Sequence, residues 1–472
     1  MIFASFEFLF LFLPIFFGAY FITPNRYRNI TMLVFSWAFY AWWRIDFLGL
    51  LVTMTLFTYL VARAMDRVGP KSENGYWLMV FGLVGNLGAL AYFKYANFGV
   101  ATFNQILVPF GQDPVPWNEI VLPIGLSFYI LQSVSYLIDI RRGTVPITKS
   151  FLTYAAYKAI FAQLIAGPIV RYAEIADELK SRHHSLQQFG AGASIFMVGF
   201  AMKTALADTI SPLVDAAFHL SQPTLVDAWT GAIGYTLQLY FDFAGYSLMA
   251  IGLARMIGFH FPQNFDNPYL AGSIQDFWRR WHMTLSRFLA DYLYIPLGGN
   301  RKGRIRTYVN LITVMAIGGL WHGSSWNFVI WGLWHGTLLG THRAWSRRDG
   351  ATKLPYVLGH VITMLAVLIG WVIFRAKDLD NAFAMYGGML GRHGVGMSDE
   401  LAWQATPDRL WFIPVAIIFV YLPLLAQKRR GNAASANPVW RVLSAIGPLA
   451  GFVMGMVLLY SREAVPFLYF QF

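Results

Sequence analysis

The chain has 472 residues, 57% of them hydrophobic and 13% charged, about half the charged share of an ordinary soluble domain. Lys and Arg number 36 against 24 Asp and Glu, a formal charge of +12. These cations sit in short loops between long apolar blocks, which directs them to anionic headgroups or an anionic substrate rather than to nucleic acid. There is no cysteine, which excludes disulfides, a thiol nucleophile and a cysteine-ligated metal.

A bilayer core takes about 20 helical residues to cross. In chain order the predicted spans are 6–22, 29–43, 46–65, 76–93, 119–139, 150–169, 190–216, 228–257, 305–322, 324–342, 354–374, 408–426 and 438–460. Their apolar runs are continuous rather than alternating, so the expected fold class is an all-α polytopic membrane protein and not a β-barrel. The first block lacks a basic leader and a small-x-small cleavage site, and is read as a retained helix. Residues 98–112, broken by Pro109 and Gly111, residues 266–300, rich in Trp, Arg, Tyr and Gly, and the short amphipathic stretch 378–393 do not fit simple spanning. They are read as re-entrant or interfacial, and such backbone at membrane depth implies a cavity.

Basic loops at 24–28, 63–71, 141–149, 279–306, 343–353 and 428–430 are expected to face the cytoplasm, which places the N-terminus outside. The loop 171–184 carries Arg171, Lys180 and Arg182 as well. Both ends of 150–169 cannot be cytoplasmic if it crosses fully, so it is read as two half-helices broken at Gly167-Pro168. No internal repeat or inverted pair of halves stands out, which weighs against a secondary transporter. No long polar linker divides the chain, so 1–472 is expected to be one domain.

The chemistry-bearing residues concentrate in 238–375, the expected catalytic core. His322, in Gly318-Gly319-Leu320-Trp321-His322-Gly323, ends an apolar span. An imidazole there is costly unless hydrogen-bonded, titrates near neutral pH, and suits a general base that deprotonates a hydroxyl; the competing reading is a histidine that only packs helices. His360 is the second candidate, able to meet His322 if the following helices pack side by side. His335, in Trp334-His335-Gly336, is the alternative partner. Asp242 lies within a span, where a carboxylate needs a partner; a structural link to a Tyr or Arg is the plainer reading. Asp208 follows Lys203 and either pairs with it or faces a cavity. Arg279, Arg280, Arg287 and Arg301, in the basic aromatic stretch 277–306, suit the phosphates of a donor such as acetyl-CoA. The same cations also serve positive-inside topology and membrane lipid. No P-loop, Gly-x-Ser-x-Gly elbow or His-Glu-x-x-His zinc helix is present, so ATP, serine-hydrolase and zinc-protease chemistry of those types lack support.

Several strings together carry a resemblance: Phe8-Leu9-Phe10-Leu11-Phe12-Leu13-Pro14, Tyr92-Phe93-Lys94-Tyr95, Leu122-Pro123-Ile124-Gly125, Ala166-Gly167-Pro168, Phe277-Trp278-Arg279-Arg280-Trp281-His282 and Gly-Gly-Leu-Trp-His322-Gly. On these the chain resembles the membrane-bound O-acyltransferases, in the bacterial branch that O-acetylates alginate, cellulose and other exopolysaccharides. One departure is Phe161-Ala162-Gln163, where the family often has Phe-Pro. The resemblance implies a ring of tilted helices with re-entrant segments around a thinned central channel. It implies His322 as the catalytic histidine, a second functional histidine at His360 and an acid at Asp208.

The expected activity is therefore transfer of acetyl from cytoplasmic acetyl-CoA across the bacterial inner membrane. The acceptor is a periplasmic acetyltransferase partner or the polysaccharide of a synthesis complex, with no metal required. D-alanyl transfer to teichoic acid is the alternative within the family, and a transporter or export channel the alternative outside it.

Overall fold

The computed structural model describes residues 1–348, 354–430, 438–462 and 465–468, without the side chains of 425–444. Residues 349–353 of the basic segment 343–353, and the side chains of Lys428, Arg429 and Arg430, thus lie outside the described residues. Among the described residues there is no strand. Among the same residues five helices are long and apolar enough to cross a membrane: Ile45–Val68, Glu73–Phe110, Leu186–His219, Tyr356–Arg375 and Pro407–Leu424. The chain is a polytopic, all-helical membrane protein whose backbone forms two compact units.

Residues Met1–Gly192 and Ala250–Pro262 make the first unit. A π-helical turn, Glu7–Phe12, leads into α1 (Leu13–Ile22), followed by α2 (Arg28–Ala41), α3 (Ile45–Val68) and α4 (Glu73–Leu107). Phe8, Phe12 and Phe16 recur every fourth residue and so share one face. Phe161 stands edge-on to Phe12 and Phe16 with ring centroids 5.2 and 4.9 Å apart, and Phe39 completes the stack. At 35 residues, α4 is roughly 50 Å long, well beyond a hydrocarbon core of about 30 Å. Residues 98–107 are its last turns rather than a separate re-entrant piece, and Pro109 with the left-handed Gly111 closes it. The span expected from 119 begins only at α5 (Leu126–Arg142), because Pro114, Pro116 and Pro123 keep the preceding chain out of helix.

The segment 150–169 is broken, but earlier than expected. α6 (Phe151–Ala159) ends at Ile160, whose backbone turns extended (φ −48, ψ 112), and α7 (Phe161–Leu164) follows at once. The Phe161 N–H freed by the break donates to Ser36 Oγ at 3.1 Å, which satisfies a donor that burial would otherwise strand. Gly167 (φ 110) bends the chain again before α8 (Tyr172–Lys180) and the start of α9 (Leu186–Ala201).

Residues Ala193–Met249 and Gln263–Phe472 make the second unit. α9 runs through a π turn, Met202–Ala207, into α10 (Asp208–His219), and α11 (Leu225–Met256) follows. The stretch 266–300 holds two short helices, α12 (Ile274–Arg280) and α13 (Met283–Leu289), and a π turn, Ala290–Tyr294. Next come α14 (Arg304–His322), α15 (Trp326–Ser346) and α16 (Tyr356–Arg375). The amphipathic stretch forms α17 (Leu379–Met389), and α18 (Asp399–Gln404), α19 (Pro407–Arg430) and α20 (Pro438–Tyr460) follow.

α14 and α15 form an antiparallel pair held closer than side chains would permit. A Cβ on Gly319 would lie 2.1 Å from Phe328 O, and one on Gly332 would lie 2.3 Å from Met315 O. Small residues at such crossings let two backbones approach within van der Waals contact, the main attraction available to helices in lipid.

Candidate active site

His322 is the last residue of α14, and its helix stops because Gly323 turns extended (φ −155, ψ 157). The glycine-lined crossing with α15 then presses the imidazole against aromatic rings. His322 is only 5% exposed. Its ring meets Trp331 of α15 edge-on at 5.2 Å and Phe374 of α16 at 5.3 Å.

Despite this burial, His322 lines a cavity of about 260 Å³ together with Trp278, Arg279, Ser286, Tyr294 and Trp331. The space is on the scale of a small-ligand site with a mainly apolar wall and few polar groups. Two of the lining residues, Trp278 and Trp331, carry indole Nε1 atoms that are buried with no hydrogen-bond partner among the described residues. Arg279 is exposed and gives the same wall a permanent positive charge.

The four arginines are not equivalent. Arg279 lines the cavity. Arg280 is held by Asp276, Nε to Oδ1 2.9 Å, with Asp266 at 4.0 Å, so much of its charge is already met. Arg287 and Arg301 are exposed and lie on α13 and just before α14.

His335 is fully buried one turn beyond Trp331, which it meets at 4.9 Å, with Trp278 at 5.2 Å. Both its ring nitrogens are buried without a hydrogen-bond partner among the described residues. Trp331 thus touches both imidazoles, but only His322 is among the cavity-lining residues.

His360 does not join His322. Its Nδ1 pairs with Ala271 O at 3.0 Å and its Nε2 with the Tyr421 hydroxyl at 2.8 Å. Along α16 it stands roughly 20 Å from Phe374, the residue that touches His322, at 1.5 Å rise per residue. The side-by-side meeting expected from helix packing fails because the contacting turn of α16 is its last, whereas His360 is near its first.

Asp208 and Asp242 share one ammonium. Lys203 Nζ lies 2.5 Å from Asp208 Oδ1 and 2.8 Å from Asp242 Oδ1, and all three residues are buried. Asp242 Oδ2 also accepts the Leu468 N–H at 2.9 Å. The expected pairing of Asp208 with Lys203 is present. The link from Asp242 goes to that lysine rather than to a Tyr or Arg.

Sequence reading passed over His282. It follows α12, adopts a left-handed backbone (φ 43) that His tolerates better than most residues, and is 1% exposed. Its ring lies 6.3 Å from that of His322, and neither of its nitrogens has a hydrogen-bond partner among the described residues. The one signal in the sequence was its place at the end of Phe-Trp-Arg-Arg-Trp-His. Among the described residues no group of three or more His, Asp or Glu is placed to hold a metal ion.

Comparison with known proteins bears on the same segment. A model of the MBOAT, membrane-bound O-acyltransferase family, matches residues 144–376, which include His322, His335, His360, Lys203, Asp208 and Asp242. The chain is 44% identical to the probable alginate O-acetylase AlgI of Azotobacter vinelandii over 500 residues, covering 100% of both chains. It is 48% identical to that of Pseudomonas aeruginosa over 392 residues, 82% of this chain and 75% of the relative. A peptidoglycan O-acetyltransferase of Helicobacter pylori is 37% identical over 425 residues, 83% of this chain and 80% of the relative.

Proposed function

The chain belongs to the membrane-bound O-acyltransferase family and is an acyltransferase, and from that premise we propose that it carries acetyl from cytoplasmic acetyl-CoA across the inner membrane to O-acetylate an exopolysaccharide of the alginate type. The polymer assignment is supported by the names of these relatives, probable alginate O-acetylases. The architecture inferred with it is a single ring of tilted helices and re-entrant segments, with residues 238–375 supplying the chemistry.

The observation that carries the reading is a buried imidazole that nevertheless lines a cavity, with a permanent cation on the same wall. His322 takes the proton of the acceptor hydroxyl as its oxygen attacks the thioester carbonyl carbon. The C–S bond breaks, and the imidazolium returns the proton to the departing thiolate, so the exchange of thioester for ester balances without ATP. Charge gathers on the carbonyl oxygen during attack. The N–H groups of the lining residues Trp278 and Trp331, without a partner among the described residues, are the donors assigned to meet it. Arg279 holds a donor phosphate, and the exposed Arg287 and Arg301 draw the donor in by charge. Arg280, tied to Asp276, mainly braces α12. His360 with Tyr421 acts as a positioning pair, and Asp208 keeps Lys203 in place. The acceptor is a hydroxyl of a periplasmic acetyltransferase partner, or of the glycan in its synthesis complex.

The test uses membrane vesicles holding the wild-type protein or His322→Ala, with acetyl-labelled CoA inside and polymer and partner outside. Loss of label transfer by about 10²–10⁴-fold is expected in the variant, with equal insertion of both proteins. Undiminished transfer in His322→Ala would remove the general base. Passage of intact labelled CoA, with no acetyl left on product, would make the protein a transporter.

A further inference from the structure

A second cavity lies within the first unit and shares no lining residue with the first. It has a volume of about 450 Å³ and is lined by Glu178, Arg182, His183, Gln188, Arg255 and His260, among others. It forms where the loop after α8 meets the turn that ends α11. Gly258 makes that meeting possible: it holds φ +86, and a Cβ there would come within 3.1 Å of Arg182 Cβ and His183 O.

The charges of this cavity are unbalanced. Its one carboxylate, Glu178, is already engaged, because Oε1 meets His260 Nδ1 at 2.6 Å and Oε2 accepts the His260 N–H at 3.1 Å. No ion pair among the described residues involves either arginine. Arg182 is spread over the rings of Phe259 and Tyr20, at 4.6 and 5.9 Å, yet its Nη1 is buried without a hydrogen-bond partner, as is Nε of Arg255. A buried donor left unsatisfied costs about 1–3 kcal/mol. Two guanidinium groups that line one cavity with no ion-pair partner among the described residues, and Ser and Gln side chains beside them, suit a tetrahedral oxyanion.

The position of the cavity narrows the source of that anion. It sits at the first residues of α9, which begins a membrane-crossing stretch, and at the last turn of α11. Leu186, next to the lining residues Ser185 and Gln187, is 92% exposed. Lipid phosphates lie at this level of a membrane protein, with acyl chains against the apolar surface below.

We propose that Arg182 and Arg255, with the neighbouring polar side chains of this cavity, form a phosphate-binding site that takes the headgroup of an anionic phospholipid. A free phosphate ester shares the same chemistry and is the other source.

Native mass spectrometry of the full chain in detergent tests this, with phosphatidylglycerol, phosphatidylcholine, inorganic phosphate and adenosine 3′,5′-bisphosphate as probes. Phosphatidylglycerol is expected to be retained at one site at least tenfold better than phosphatidylcholine, and the double variant R182Q/R255Q is expected to abolish that preference. Retention of inorganic phosphate or the bisphosphate, lost in the same variant, supports the phosphate site with a soluble source. The comparison of lipids on the unsubstituted protein needs no variant and stands if R182Q/R255Q fails to fold. Equal retention of both lipids with no binding of either soluble phosphate overturns the proposal, as does binding that R182Q/R255Q leaves unchanged.

Discussion

The imidazole of His322 and the indole of Trp331 meet edge to face, ring centroids 5.2 Å apart and planes at 86°. Both rings line one cavity, and the indole N–H has no hydrogen-bond partner among the described residues. The imidazole therefore lines the cavity beside a residue whose indole N–H is left without a partner among the described residues. Acyl transfer needs a proton acceptor for the attacking hydroxyl and a hydrogen-bond donor for the carbonyl oxygen.

Trp331→Phe tests the donor while keeping an aromatic ring. Part of its packing against Trp371 and Phe374 is kept, so insertion is expected to hold and stability to fall by about 1 kcal/mol for the smaller ring. Loss of one donor to a developing oxyanion costs about 10²–10³ in kcat, with KM for the donor nearly unchanged. A variant that turns over at the wild-type rate would show that the indole N–H only packs.

The α14–α15 crossing makes a prediction with its own control. A Cβ at Gly332 meets backbone atoms, Met315 O at 2.3 Å and Ala316 Cα at 2.8 Å, which cannot move aside without parting the helices. At Gly340 on the same helix the nearest atom is Tyr308 Cδ1 at 3.6 Å, an ordinary contact. Gly332→Ala is expected to destabilise by about 1–3 kcal/mol from overpacking and to lower activity by displacing His322. Gly340→Ala should melt with wild type in a detergent thermal scan. Equal melting of both variants would mean that the crossing is looser than described.

Much of this site was legible because it is local in sequence. Trp-His-Gly at 321–323 and again at 334–336 marks an aromatic and an imidazole beside the glycine that a close crossing requires. The structure adds why both copies are needed, since Gly323 ends α14 and Gly336 lies against it. Relations between distant residues were not legible. Nothing in the chain text pairs Lys203 with Asp242, because a π turn aims the lysine at a second helix. Nor does spacing reveal that His360 stands at the far end of the helix whose last turn touches His322. The break at Ile160 was not legible for the same reason: no Gly or Pro stands at it, and the Phe161 N–H it frees is met by Ser36 on another helix.

The Lys203 cluster is expected to hold the fold rather than do chemistry. Lys203→Met leaves two buried carboxylates without their shared counter-charge. Breaking a buried ion pair on one side costs about 3–5 kcal/mol, so this variant should express poorly or melt far below wild type. Asp208→Asn keeps Lys203 paired with Asp242 and is expected to cost less. If Asp208→Asn folds as well as wild type yet loses all transfer, the carboxylate belongs to the reaction after all.

Arg279 and Arg280 are adjacent in sequence and are expected to respond oppositely. Arg279 lines the cavity beside His322, so Arg279→Ala removes a charged contact to the donor phosphate. Such a contact is worth about 1.5–3 kcal/mol, which amounts to a rise of at least about tenfold in KM for the donor, with kcat and melting little changed. Arg280 spends its guanidinium on Asp276, Nε to Oδ1 2.9 Å. Arg280→Ala is therefore expected to lower stability by up to about 1 kcal/mol, as for a partly exposed pair, and to leave KM alone. Steady-state kinetics with donor varied at saturating acceptor separate the two. If the KM effect appears at Arg280 instead, the donor enters along the opposite face of α12.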